Sequence, residues 1–376
     1  MVLKKSLCVL ASLRHGVKFS IAALVPKKVY ILFTTIFLIA VQEGIYARKG
    51  EPEEETPQEV EVEPWFTGTL LCPSGNVVPV GYVNIEPYVF ATDTFAKYNR
   101  NWKSKSIPCF WSVNPLIFTQ IGLTEKLDFL FQPQFFWNET QGRSSTRFGD
   151  LPVGLDIQLV AATKTGWWPA VKLALRENLP TGKYQKLNPD KLGTDASGTG
   201  SFVTTAGLVF ARLFHVRKAQ YLSTRFFVSY SLPARVHVKG FNTYGGGSGT
   251  RGYVYPGDSL TAIVGLEYSL TRNWVLALDM MNVYTNKNRF KGRKGRAAGA
   301  SENPFEGFET TDGSGEANVG GPSSDQISLA PAIEYNFSEA VGIIGGCWFT
   351  VAGRNTGHFV SGVLAVNWYL QLSKNK

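Results

Sequence analysis

The sequence is poor in the residues that most enzyme and metal chemistry depends on. It has four cysteines in 376 residues, Cys8, Cys72, Cys109 and Cys347, with no CxxC pair. If Cys8 leaves with a leader, the three that remain make no disulfide framework. The four histidines, His15, His215, His237 and His358, lie far apart, so there is no metal-ligand spacing and no cofactor is expected. No G-x-S-x-G occurs, and Gly245-Gly246-Gly247-Ser248-Gly249 lacks the lysine of a phosphate-binding loop. No serine, histidine and orienting amide can be read as a set, so the expectation is a protein that is not an enzyme. Charged residues make up only 18%. No apolar run reaches the roughly 20 residues that a membrane-crossing helix takes.

The sequence does contain 38 glycines and 13% aromatic residues, which suits an all-β chain with many turns. The net charge of +9 is misleading: residues 1–47 carry +5 of it, leaving +4 for the rest. With no basic helical stripe, that is too little to argue for nucleic acid as a partner. Lys27-Lys28 precedes an apolar run of thirteen residues, Val29 to Val41, the pattern of a secretory signal peptide. The leader is read as residues 1–47, with Ala47 at the cleavage site. Residues 48–79 are an acidic linker, EPEEETPQEVEVE from Glu51 to Glu63, and a mixed N-terminal segment, Pro64 to Pro79. This segment either lies along the wall of the following domain or enters its interior.

From Val80 on, twelve segments alternate apolar and polar residues, at about 80–92, 110–123, 126–138, 147–161, 167–179, 201–214, 220–238, 259–270, 273–286, 325–337, 340–352 and 357–372. Period two means strands. The connections alternate in length. Thr124-Glu125, Ala162–Gly166, His215–Ala219, Thr271-Arg272 and Ser338-Glu339 are short. Asp93–Cys109, Pro180–Gly200, Lys239–Asp258 and Lys287–Ser324 are long. Glu139–Thr146 is intermediate, and Gly353–Thr356 breaks the pattern. A soluble sandwich has no reason for this alternation. A transmembrane antiparallel β-barrel does, with short periplasmic turns, long external loops and an even strand number. Residues 80–376 are therefore expected to form an all-β barrel of about 12 strands in the outer membrane of a Gram-negative-type cell. One face of the third segment is Leu127, Phe129, Phe131, Pro133, Phe135 and Trp137, and the opposite face holds Asp128, Gln132, Gln134 and Asn138. Trp111, Trp137, Trp168, Trp274 and Trp368 fall near strand ends, as an interfacial girdle would.

The hairpin from Phe148 to Gly182 shows a further pattern. Gly149, Asp150, Gly154 and Leu159 lead into a turn at Thr163-Lys164-Thr165-Gly166. Pro169, Ala170, Leu173, Leu175, Leu179, Pro180, Thr181 and Gly182 follow. This order resembles the outer-membrane channels of the phenol meta-degradation family. The resemblance implies an outer-membrane barrel. It also implies membrane lipid and lipopolysaccharide as surroundings, a small-molecule solute, and barrel-assembly machinery as a partner. Barrels of this class end on an aromatic residue that the machinery reads. Here Leu372 is followed by Ser-Lys-Asn-Lys, so Trp368 and Tyr369 are the candidates for that role.

The inward positions of such a barrel would hold Glu86, Asp150, Asp156, Lys172, Arg176, Arg225, Arg235, Glu267, Asp279 and Glu334. Such charges cannot face lipid cheaply, at about 2–4 kcal/mol for a lysine or arginine at mid-membrane. Asp156 and Lys172 are expected to form an ion pair across the hairpin. Glu86 and Glu334 have no partner readable from sequence. Tyr82, Tyr88, Phe90, Phe118, Phe136, Phe227 and Trp348 are also expected inside. Charges mixed with aromatics suit a path for small hydrophobic or aromatic molecules, and they suit a filled, bracing interior equally well. The expected function is a channel or transporter for such molecules. The alternative is a non-conducting structural or adhesin barrel acting through its external loops, with a barrel hydrolase well behind. One loop feature stands apart: KNRFKGRKGR, Lys287 to Arg296, can meet anionic lipopolysaccharide or an acidic host surface, or be merely solvated.

Overall fold

The computed structural model describes residues 64–162, 168–217, 220–296 and 316–372. The proposed leader, the acidic stretch to Glu63 and the Thr163–Gly166 turn lie outside the described residues. In chain order, the strands begin with β1 (Tyr82–Tyr98), β2 (Ser104–Thr124), β3 (Leu127–Phe131), β4 (Phe135–Thr140), β5 (Arg143–Phe148), β6 (Leu151–Val160) and β7 (Ala170–Leu179). They continue with β8 (Val203–Arg217), β9 (Gln220–Pro233), β10 (Val236–Lys239), β11 (Arg251–Tyr255), β12 (Ser259–Ser269) and β13 (Trp274–Thr285). The last are β14 (Arg289–Arg293), β15 (Ser324–Asn336), β16 (Val341–Arg354) and β17 (Gly357–Gln371).

Twelve antiparallel passes close into a barrel. β3 with β4, and β5 with β6, are single passes broken once each. The break at Gln132–Gln134 falls on Pro133, which has no N–H to give to a ladder, and Ile117 N donates to the Pro133 carbonyl across it. Closure is made by β1, which pairs with β2 on one side and β17 on the other: Tyr88 lies opposite both Leu116 and Ala365. Closing the sheet leaves no edge strand, which is what allows a sheet to live in lipid.

The outward faces are those expected from the alternation. Val89, Ile117, Leu155, Leu175, Leu260, Leu276, Ile333, Val351 and Leu364 are all exposed, spread around the wall. In water each would forgo about 1.5–3 kcal/mol of burial; against acyl chains none of that is lost. Trp168, Trp274 and Trp368 are exposed at the end where the short turns lie, the level of an interfacial aromatic belt.

Three boundaries differ from the expectation. Glu139–Thr146 is strand apart from a turn at Gln141-Gly142, since β4 and β5 pair up to Thr140 and Arg143. Asp93–Cys109 is mostly strand rather than loop, since β1 and β2 run on beyond the wall and pair up to Tyr98 and Ser104. The segment 220–238 ends in the wall at Pro233, and Val236–Lys239 joins a separate sheet ordered β10-β11-β14. That small sheet sits among the long loops. It packs Val236, Val238 and Val254 against Tyr184, Tyr244, Phe290 and Val319.

Candidate functional site

The interior is organised by the segment that precedes β1. Residues 64–79 form no strand or helix, so their amides must find partners elsewhere. They find them in the carboxylates and amides of the wall. Thr67 N and Gly68 N donate to Glu334 Oε2 on β15 at 3.1 and 3.2 Å. Leu71 N and Cys72 N donate to the Asp279 carboxylate on β13 at 2.9 and 3.3 Å. Val77 N donates to Gln158 Oε1 on β6, and Val78 N to Asp128 Oδ2 on β3, both at 2.9 Å. The segment therefore enters the lumen and passes from β15 round to β3 before turning into β1.

Small residues make room for it. A Cβ on Gly122 would lie 1.8 Å from the Pro79 carbonyl oxygen, and one on Gly265 would lie 2.8 Å from Cys72 Cβ. On its other side the segment is apolar. Leu70 is buried with Ala277, Ala330, Ile344, Val363 and Ala365, and Leu71, Tyr88, Phe90 and Trp348 pack against this cluster. The backbone is held by β15, β13, β6 and β3, while Leu70 packs over β13, β15, β16 and β17. The lumen is crossed at this level.

The ionic groups beneath this crossing are mostly acidic: Glu86, Asp128, Asp156, Glu267, Asp279 and Glu334 stand against Lys172, Arg176 and Arg225. Asp156, fully buried, takes both Lys172 at 2.8 Å and Arg176, and Gln120 Nε2 bridges Asp156 and Asp128. Arg225 pairs with the buried Glu267 at 2.7 Å, and Ser223 Oγ donates to the same carboxylate. Buried charge is tolerable only when paired and hydrogen-bonded, and backbone amides supply what the cations do not. Glu86 is half-buried and accepts from Asn84 Nδ2, Tyr88 Oη and Asn367 Nδ2. Phe118 faces the same side, opposite Glu86.

Two expected inward positions lie elsewhere. Arg235 is beyond the end of β9, exposed, with its guanidinium 4.5 Å from the Tyr253 ring centre on the small sheet. It left the lumen because Pro233 ended the strand. Asp150 is buried but works as a latch for the long loop after β7 rather than as a charge lining the lumen. Its Oδ1 accepts from Gly182 N at 2.9 Å, and its Oδ2 accepts from Thr199 N and Oγ1 at 2.8 and 3.0 Å. Thr181 Oγ1 donates to the Gly149 carbonyl at 2.7 Å. The Gly-Asp and Pro-Thr-Gly ends of the hairpin pattern thus bind each other and hold the loop. Burial, and next the Asp150 carboxylate, hold the Tyr244 phenol in the neighbouring loop above its ordinary range.

The sequence reading left Asp128, Gln120, Gln158, Asn84, Asn336 and Asn367 out of its lumen candidates. Asp128 stands on the polar face of the third segment, so period two alone could have found it. The neutral amides carry neither charge nor ring to mark them in the sequence.

On the outer side of the crossing the wall changes character. Tyr88 stacks on Phe90 at 5.8 Å, Phe90 meets Trp348 edge-on at 6.3 Å, and Trp348 meets Phe359 at 4.7 Å. This row climbs β1, β16 and β17 toward the loop end. Trp348 Nε1 gives its proton to Ser328 Oγ, so the ring faces are left apolar.

A closed twelve-stranded barrel with an apolar band, short turns at one end and long loops at the other is an outer-membrane β-barrel. Among solved structures the chain is similar to an outer-membrane channel from Pseudomonas putida F1, with a TM-score of 0.58 at 11% identity over 79% of this chain and 98% of that one. The β domain of the Bordetella autotransporter BrkA (8% identity, 77% and 98% covered) and the transport unit of AIDA-I from Escherichia coli (9%, 76% and 89%) each reach a TM-score of only 0.40. They carry no weight. No protein-family model and no curated protein matches the sequence.

Proposed function

We propose that the protein is a channel for small hydrophobic or aromatic molecules and that its own N-terminal segment stands across the path. The observation behind this reading is the aromatic row Tyr88, Phe90, Trp348 and Phe359, which runs from the loop end down to Leu70. Ring faces with their polar atoms already bonded offer stacking to aromatic solutes and nothing to anions. The Pseudomonas barrel of the same fold is described as an outer-membrane channel, which supports the reading.

The test compares entry of naphthalene into cells expressing the wild type, Phe90→Ala with Trp348→Ala, and Leu70→Ala. Entry that depends on the protein, falls in the double variant and rises in Leu70→Ala is expected. No entry through either the wild type or Leu70→Ala would remove the channel reading. It would leave a surface barrel acting through its loops, a second reading that the separate outer sheet favours.

A further inference from the structure

The basic run of the loop after β13 becomes ordered structure. Lys291 and Arg293 lie on β14, opposite Tyr253 and Arg251 of β11, which in turn face His237 and Lys239 of β10. Arg289 pairs with Tyr255 beside them, and Arg235 stacks over Tyr253. Alternation settles which way these residues point. Val236, Val238, Gly252 and Val254 face inward and are buried, so the residues between them make up the opposite face. That face holds Arg235, His237, Lys239, Arg251, Tyr253, Tyr255, Arg289, Lys291 and Arg293. Among the described residues no carboxylate is on it, and none of its six Lys and Arg side chains forms an ion pair. Among the described residues the ion pair on this run, Lys294 with Glu316 at 3.8 Å, lies off the face. Beside it is a cavity of about 630 Å³ that Lys287, Arg289, Lys291, Tyr255 and Tyr284 help to line.

We infer that this face is a docking surface for lipopolysaccharide, taking the phosphate groups of its inner sugars. Six like charges fixed on neighbouring strands about 5 Å apart repel one another. They are stable together only where solvent or an anion neutralises them. Arginine forks match phosphate oxygens two at a time. The two tyrosine rings between them offer flat apolar surface to a sugar ring. Position chooses among polyanions: the long-loop end of an outer-membrane barrel faces outward, where phosphorylated glycolipid forms the surrounding leaflet. This inference does not depend on whether the lumen conducts.

The test uses the full-length protein in detergent, with deep-rough lipopolysaccharide and the same material dephosphorylated as probes. Binding is measured at two salt concentrations. The wild type is expected to prefer the phosphorylated form by about tenfold or more, the loss that follows from one or two charge-assisted hydrogen bonds, and to weaken as salt rises. R251Q/K291Q/R293Q should abolish the preference. R100Q/K103Q/K105Q, which removes exposed cations from the β1–β2 connection and the start of β2, should keep it. Both variants must still show heat-modifiable migration; if the first does not, Lys291→Gln alone is used and should lose part of the preference. Equal binding of both lipid forms, or an unchanged preference in the first variant, overturns the inference. Tighter binding of soluble polyphosphate than of lipopolysaccharide also overturns it, since the face would then serve a soluble polyanion.

Discussion

The lumen under the N-terminal segment and the outer sheet face hold similar numbers of charges and treat them in opposite ways. Inside, Asp128, Asp156, Lys172, Glu267, Asp279 and Glu334 are all but inaccessible. Each is answered by an opposite charge or by hydrogen-bond donors of the wall and the segment. Outside, Arg251, Lys291 and Arg293 are exposed and share one sign. The difference follows from solvation. A buried charge without partners costs several kcal/mol, so folding selects against it. An exposed charge costs little and remains available to bind. Charges in a barrel interior are thus weak evidence for a solute path, and exposed charges of one sign on its rim are better evidence for a ligand.

The largest expected effect breaks the inner side of this comparison. Lys172→Met removes one of two cations from Asp156 and should destabilise the barrel by about 3–5 kcal/mol, read as a lower temperature of the heat-modifiable gel transition. Two cations four residues apart on the inward face of one strand would set ion selectivity if solute passed them. Because Asp156 takes both and Lys172 is fully buried, K172Q/R176Q should lower heat stability and leave selectivity in bilayer recordings unchanged. A selectivity shift with stability intact would put the pair back on the path.

The next effect separates the segment from the wall. Glu334→Gln with Asp279→Asn weakens acceptors that hold four backbone amides, at about 1.5–3 kcal/mol for each charged acceptor. Single-channel current should rise or flicker while the barrel stays folded. Gly122→Ala places a methyl on the Pro79 carbonyl and should act in the same direction without touching a charge. Unchanged current in both would mean that the segment does not limit flow.

A smaller effect is expected at the outer latch. Asp150→Asn keeps the shape but weakens the acceptor for Gly182 and Thr199, by about 1 kcal/mol. Limited proteolysis should cut the loop after β7 sooner, with the gel transition little moved. The smallest belongs to the outer face: R251Q/K291Q/R293Q should change stability by no more than about 0.5 kcal/mol, measured by the same transition. A large loss there would mean that the face is as structural as the lumen.

Much of this was local and therefore legible in the chain. Residues two apart share a face of a strand whatever the rest of the protein does, so the twelve passes, their lipid side and the inward turn of Glu86, Asp156 and Glu267 could be read directly. The alternation of loop lengths told which end was which. The role of residues 64–79 could not be read, because they have no periodicity of their own and their partners are remote. Thr67 and Glu334 are 267 positions apart. Nor could Asp150 be told from Asp156. Both are acidic residues inside the same hairpin, and only the return of Gly182 and Thr199 makes one a latch while Lys172 and Arg176 make the other an ion-pair centre. Periodicity determines which way a side chain points. Closure of the barrel decides what it meets there, because only closure brings distant donors within about 3 Å of an acceptor that burial will not leave unsatisfied.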